Sequence, residues 1–315
     1  MESNLRRQLS QLLQMNTIPQ EQLTHKQIER LAAQRQIYSD AKRIQVVLIT
    51  LSVPCVIVLT LVAAVFPRFQ VFVAFWGIIV TILDIVVFTP RQKLLQEKAA
   101  KIQQLFDCDV LQMDWFKLNS GNRPEPETVV EASSRHKRID PNYSKLQNWY
   151  PVSVGQLQIH LARLICQRTN CWWDAQLRRR YAVLGLVTIV GLTVLVFLVG
   201  LIGGLTLEKF FLVVLAPLIP AVVLGIRQYI EHTEAAARLD SLKESCEGLW
   251  SHAIRGRFTP QEVTEESYKV QNEIYDNRRR NPLIFNWIYS LLRRQQEEQM
   301  NRGAEDLIEE ALRNP

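Results

Sequence analysis

Between Tyr181 and Gly204 the chain reads YAVLGLVTIVGLTVLVFLVGLIGG without one charged side chain. As a helix rising about 1.5 Å per residue, this run is long enough to cross a hydrocarbon core of roughly 30 Å. Arg178, Arg179 and Arg180 stand directly before it, and a basic cluster abutting a span stays on the cytoplasmic side, so this helix is expected to run from the cytoplasm outward. A turn over Gly203–Lys209 leads into a second apolar run, Phe210 to Ile226, which returns to meet Arg227. Residues 181–226 therefore read as a transmembrane hairpin.

A second hairpin precedes it, over residues 44–90. Ile44 to Phe66 is apolar, Pro67, Arg68, Phe69 and Gln70 form a short turn, and Val71 to Phe88 comes back to Thr89, Pro90, Arg91 and Lys93. Lys42, Arg43, Arg91, Lys93, Arg178, Arg179, Arg180 and Arg227 fall on one side of this arrangement, against Arg68 and Lys209 on the other. The asymmetry places residues 1–43, 91–180 and 227–315 in the cytoplasm, both termini included, and the bacterial inner (plasma) membrane is the expected location. The fold class is an all-α membrane protein: four transmembrane helices in two hairpins, with a cytosolic helical layer.

Averages hide this division. The mean hydropathy of −0.03 looks like that of a soluble protein, because strongly polar blocks offset the apolar ones. A net charge of +6 fits soluble parts held against an anionic leaflet, or a phosphate-bearing ligand, and positive-inside charge alone also explains it. The five cysteines, Cys55, Cys108, Cys166, Cys171 and Cys246, contain no Cys-x-x-Cys pair and read as reduced thiols rather than a disulfide framework or zinc site. The opening MESNLRRQLSQLLQMN lacks the apolar core of a secretory signal, so the first span is expected to direct its own insertion.

Helix is expected throughout the soluble segments. Met1 to Asn16 is a short helix candidate, closed by Thr17-Ile18-Pro19. From His25 no proline or glycine interrupts the chain until Pro54. After Arg91, Leu94, Leu95, Ala99, Ile102, Leu105 and Phe106 make an apolar stripe, while Asp107-Cys108-Asp109-Val110-Leu111 reads as a strand or a turn. A linker over Leu118–Pro126 precedes a helix from Glu127 to about Arg138. Helical period returns at Gly155 and nothing stops it before Tyr181; the same holds from Ile226 to Ile254. Thr259, Pro260 and Glu262 read as N-cap, first residue and capping-box partner of a helix ending at Asn281-Pro282. Leu283 to Gln299 is a last apolar-faced helix, followed by a polar, frayed tail.

Chemistry-bearing residues are sparse. Asp84 is the one ionisable residue well inside an apolar run, either an interfacial acid one turn from the cytoplasmic end or part of a pore lining. Gly200 and Gly204 have the small-xxx-small spacing of close helix contacts, though at a span end they also suit a turn. Trp149, Tyr150, Trp172 and Trp173 can stack nucleobases while Arg168, Arg178 and the Arg135, His136, Lys137, Arg138 cluster hold phosphates. The bland account of these aromatics is core or interfacial anchor; Arg278, Arg279 and Arg280 share the ambiguity, with a solvated or lipid-facing charge run as the simpler account. The candidate ligand set is Arg135, Lys137, Arg138, Arg168, Trp173 and Arg178. Scattered histidines, no Gly-x-Ser-x-Gly, no His-Glu-x-x-His and no glycine-rich phosphate loop point away from an enzyme, a metal site or a cofactor. Asp107, Asp109 and Asp114 are more simply solvated or capping than metal-binding.

Five stretches together resemble the four-transmembrane effectors associated with SMODS-type nucleotidyltransferases. They are LAAQRQIYSDAK from Leu31 to Lys42, LFDCDVL from Leu105 to Leu111, NWYP from Asn148 to Pro151, ICQRTNCWWDAQLRR from Ile165 to Arg179 and QNEIYDNRRRNP from Gln271 to Pro282. The resemblance implies a bacterial anti-phage role: a partner nucleotidyltransferase makes a cyclic or linear oligonucleotide, and the effector, a homo-oligomer in the lipid bilayer, permeabilises the inner membrane on binding it. DNA is not an expected partner. Two other classes compete, a non-enzymatic membrane scaffold or regulator that binds a partner protein, and a small transporter, the latter weakened by the lone internal acid Asp84.

Overall fold

The computed structural model describes residues 16–202, 206–211 and 215–313, and among these it is helical, with no strand. The Met1 to Asn16 helix expectation lies almost wholly outside the described residues, as does Gly204. The helices are α1 Ile18–Glu21, α2 His25–Ser52, α3 Pro54–Val65, α4 Gln70–Leu83, α5 Thr89–Val110, α6 Lys117–Ser120, α7 Pro126–Lys137, α8 Ile159–Ile202, α9 Leu207–Phe210, α10 Ala216–Ile254, α11 Pro260–Arg280 and α12 Asn286–Arg313.

Prolines set the breaks in the first apolar hairpin. Pro54 has no N–H to continue the ladder of α2, so the helix is distorted at Val53, φ −115° and ψ −72°, and α3 follows behind it. Trp76 of α4 donates its Nε1 hydrogen to the Leu51 carbonyl at 3.1 Å, tying the second run of the hairpin to the break in the first. Between α4 and α5 the chain passes through one π-helical turn, Asp84–Phe88. Thr89 N–H reaches back five residues to the Asp84 carbonyl, and Pro90, one residue on, has no N–H to restore the ordinary register there.

Two helical stretches are long and apolar enough to cross a membrane by the described residues alone, His25–Leu59 and Val71–Val110, and the apolar part of each is little buried inside the protein. The apolar half of α8 likewise turns Val183, Val187, Val190 and Leu195 outward, and α10 exposes Ile219 and Val223. α8 and α10 form the most extensive helix pair of the molecule. They approach closely at Gly225, where a Cβ would stand 2.7 Å from Ile189 Cγ2.

The polar halves build the cores. The largest gathers Leu31, Phe106, Tyr150, Leu164, Trp250 and Ile308 from six different parts of the chain, and three smaller clusters surround it. Two local expectations need correction. Asp107 to Val110 is the last turn of α5, not a strand, because that turn faces the core with Asp107 fully buried. The tail beyond Gln299 is not frayed: α12 runs to Arg313 and buries Ala304, Ile308 and Ala311, a 3.6-residue stripe concealed among many charges.

Candidate functional site

Where the polar halves of α2, α8, α11 and α12 converge below the apolar runs lies a cavity of about 190 Å³. Each wall follows from a helix end or a continuous helix. The capping box of α11, with Thr259 N–H donating to Glu262 Oε2 at 2.8 Å and Glu262 N–H donating to Thr259 Oγ1 at 3.3 Å, fixes the start of that helix. Its end is set by Pro282, which holds Asn281 extended at φ −65° and ψ 142°. The chain then turns past the cavity as Asn281, Pro282, Leu283 and Ile284 before α12 begins.

Among the described residues the lining carries four cations, Arg35, Lys42, Arg178 and Arg278, against one carboxylate, Asp174. Asp174 is engaged by Arg178 Nε at 3.1 Å, and Arg178 Nη1 also donates to the Pro282 carbonyl at 2.9 Å. Arg278 is held from behind by Asp107, which also accepts from Tyr150 Oη at 2.7 Å and Gln271 Nε2 at 2.9 Å. Burial works against the Arg278 charge, but Asp107 together with Tyr150 and Tyr38 outweighs it, and the guanidinium stays protonated. Removing one partner of such a buried pair costs about 3–5 kcal/mol, so this pair anchors the floor.

Lys42 and Arg35 have no carboxylate partner among the ion pairs of the described residues. Burial, then the fields of Arg35 and Arg178, push Lys42 down to about 8, although its ammonium donates to Asn286 Oδ1 at 2.7 Å. Behind Arg178 lies His232, whose Nδ1 is 3.5 Å from Arg178 Nη1. Burial first and Arg178 second push that imidazole down to about 3, leaving it neutral. Arg35 stacks over Tyr289 at 5.1 Å, and Trp173 meets the same ring at 5.2 Å. Two donors in the lining, Trp149 Nε1 and Asn281 Nδ2, have no hydrogen-bond partner among the described residues, and Asn281 is 2% exposed. A buried donor without an acceptor costs about 1–3 kcal/mol. Excess positive charge and aromatic faces suit a planar, anionic ligand.

Of the ligand residues expected from sequence, Arg178 and Trp173 line this cavity. Arg168 is not in the lining and pairs with Glu247 at 2.9 Å. Arg135 pairs with Asp40 at 2.8 Å on the α2–α7 contact, while Lys137 and Arg138 are exposed at the end of α7. Asp84 is half-buried in the π-helical turn and accepts from Thr89 Oγ1 at 2.7 Å; Gly200 lies near the end of α8. Sequence reasoning missed Arg35, Lys42, Arg278 and Asn281 as site residues. A signal for them did exist, because the stretches that carry the family resemblance meet here. Leu31–Lys42 supplies Arg35, Tyr38 and Lys42; Asn148–Pro151 supplies Trp149; Ile165–Arg179 supplies Trp173, Asp174 and Arg178; Gln271–Pro282 supplies Arg278 and Asn281. Leu105–Leu111 supplies Asp107, which positions Arg278.

A family model for the SMODS-associating 4TM effector domain matches residues 16–307. A curated relative, a probable CBASS effector molecule of Bacillus cereus (strain VD146), is 25% identical over 209 residues, which covers 65% of this chain and 67% of the relative. No solved structure matches the chain.

Proposed function

Because the chain belongs to the SMODS-associating 4TM effector domain family, we propose that it is a membrane effector of a bacterial anti-phage nucleotide-signalling system, gated by a ligand that enters the α2–α8–α11–α12 cavity. Family and relative together point to a CBASS-type effector in anti-phage defence. The observation that supports a ligand at this cavity is the convergence of four of the five resembling stretches on its lining, with four cations against one carboxylate. The ligand is a cyclic or linear oligonucleotide made by a partner nucleotidyltransferase. It bridges α2 and α8, both of which continue toward the apolar runs, so its binding reorients the first and third of four spans. Lipid bilayer and further copies of the chain are its other partners, and it acts without catalysis.

The test is a panel of cyclic di- and trinucleotides and their linear counterparts, added to the purified full-length protein while melting temperature is followed. One member should raise it, with binding that weakens as salt rises because phosphate contacts release counterions. Arg35→Ala and Trp173→Ala should each reduce affinity about tenfold or more, as expected for losing one charge-assisted or stacking contact of about 1–3 kcal/mol. Arg135→Ala, Lys137→Ala, Arg138→Ala and Arg168→Ala test the alternative surface. Loss of binding there, with Arg35→Ala unaffected, moves the site out of the cavity. Melting temperature unmoved by every nucleotide in the panel removes the signal-gated reading.

A further inference from the structure

The first two turns of α12 have a double allegiance. One face, Asn286 and Tyr289, lines the cavity. The opposite side presents Trp287 and Leu291, four residues apart and therefore neighbours on one helix face, 63% and 69% exposed. Such a pair of bare apolar side chains has a particular address. Asn286, beside Trp287, accepts from Lys42 Nζ at 2.7 Å and donates to Ser39 Oγ at 3.0 Å, which fixes it at the residues where α2 passes into its apolar run. Ile284 and Ile288 pack on Leu177 and Tyr181, where α8 makes the same transition. Tyr181 also meets Phe285 at 6.3 Å. The start of α12 is thereby pinned, from two sides, to the level at which two apolar runs begin.

We propose that this end of α12 is a lipid anchor, with Trp287 and Leu291 seated in the interfacial layer on the cytoplasmic side of the bilayer. Tryptophan concentrates at that depth because its ring is amphipathic, and Arg43, Arg91, Lys93 and Arg227 each stand exposed next to an apolar run, where basic side chains meet anionic headgroups. The inference rests on the spans assigned above and needs no statement about the signal. Its consequence is regulatory: the bilayer holds one wall of the cavity from outside, so occupation of the cavity and seating of α12 in lipid are coupled.

The experiment compares tryptophan emission of the full-length protein and of Trp287→Phe, in nanodiscs of phosphatidylethanolamine and phosphatidylglycerol. The emission that disappears in the variant belongs to Trp287. Lipids brominated high on the acyl chain should quench it at least about twofold more strongly than aqueous iodide does, as an indole at headgroup depth requires. Leu291→Trp in the Trp287→Phe background should restore a component quenched the same way. Iodide quenching without bromolipid quenching overturns the anchor, and so does a component protected from both, which would place Trp287 against protein. Trp76, inside the second apolar run, separates this failure from failure of the span assignment: if its emission, isolated with Trp76→Phe, also escapes every brominated lipid, the spans are wrong and the anchor falls with them.

Discussion

Lys42 shows how one residue reports on the cavity. In the unfolded chain its ammonium titrates near 10.5, whereas burial and then Arg35 and Arg178 push it down to about 8 in the fold. The unfolded chain therefore binds more protons between these values, so keeping Lys42 charged costs stability below about pH 8, and that cost is relieved as pH rises through the window. A bound anion favours the charged form again. Affinity for the signal should accordingly be level below about pH 8 and fall above it by up to about tenfold per pH unit. Lys42→Arg, which keeps its charge, should remove the fall. Calorimetric titration between about pH 7 and 10 decides this, and a profile that Lys42→Arg leaves unchanged would separate Lys42 from the ligand.

At the scale of elements, the contact of α8 with α10 carries the second hairpin, and Gly225 sets how closely it closes. A methyl there would meet Ile189 Cγ2 at 2.7 Å and Cγ1 at 3.0 Å, both on a stiff branched side chain. Gly225→Val should cost about 1–3 kcal/mol by overpacking. Ile189→Ala alone removes contacts, yet combined with Gly225→Val it should restore much of the loss, since the two changes share one space. Thermal melting in detergent of the two single variants and the double measures this coupling. Strict additivity would mean that the helices do not meet there. The continuity of α8, 44 residues from Ile159 to Ile202, gives the same element a functional consequence: a ligand that tilts its cavity half moves its apolar half.

For the whole molecule, the expected arrangement is four spans with both termini in the cytoplasm, and the proposed action is that several copies associate on signalling and open the membrane. A unit of four helices has too few to pack its own core and also enclose a wide aqueous path. The ligand shifts the resting state only by its differential affinity, so moving the population from 1:99 to 99:1 needs a preference of about 10⁴-fold, or about 5.5 kcal/mol. Reporter fusions at Arg68 and Lys209 should read periplasmic and a fusion at Asn122 cytoplasmic. Co-expression with the partner nucleotidyltransferase should admit dye and collapse the membrane potential. Asp84→Leu and Gly204→Leu should blunt the lesion if the acid lines the path and the Gly200-x-x-x-Gly204 face joins copies. Intact membranes with the signal present at full level would defeat the effector reading. Lesions unchanged in both variants would defeat only those two assignments.

The sequence by itself determined the apolar runs, the helices that enter and leave them and the cap of α11, because each follows from local hydropathy, period or a proline within a few residues. It also carried the resemblance to the family that matches residues 16–307. Only the tertiary structure decided where the resembling stretches meet. Arg35, Lys42, Arg178 and Arg278 share one cavity although up to 243 positions separate them, and no local pattern distinguishes Arg278, bound to buried Asp107, from its neighbour Arg280, which pairs on the surface with Asp276. Burial is a property of what packs on a residue from elsewhere in the chain. The same reason turned an apparently polar tail into the core face of α12: the stripe of Ala304, Ile308 and Ala311 has meaning only beside the hydrophobic surface that receives it.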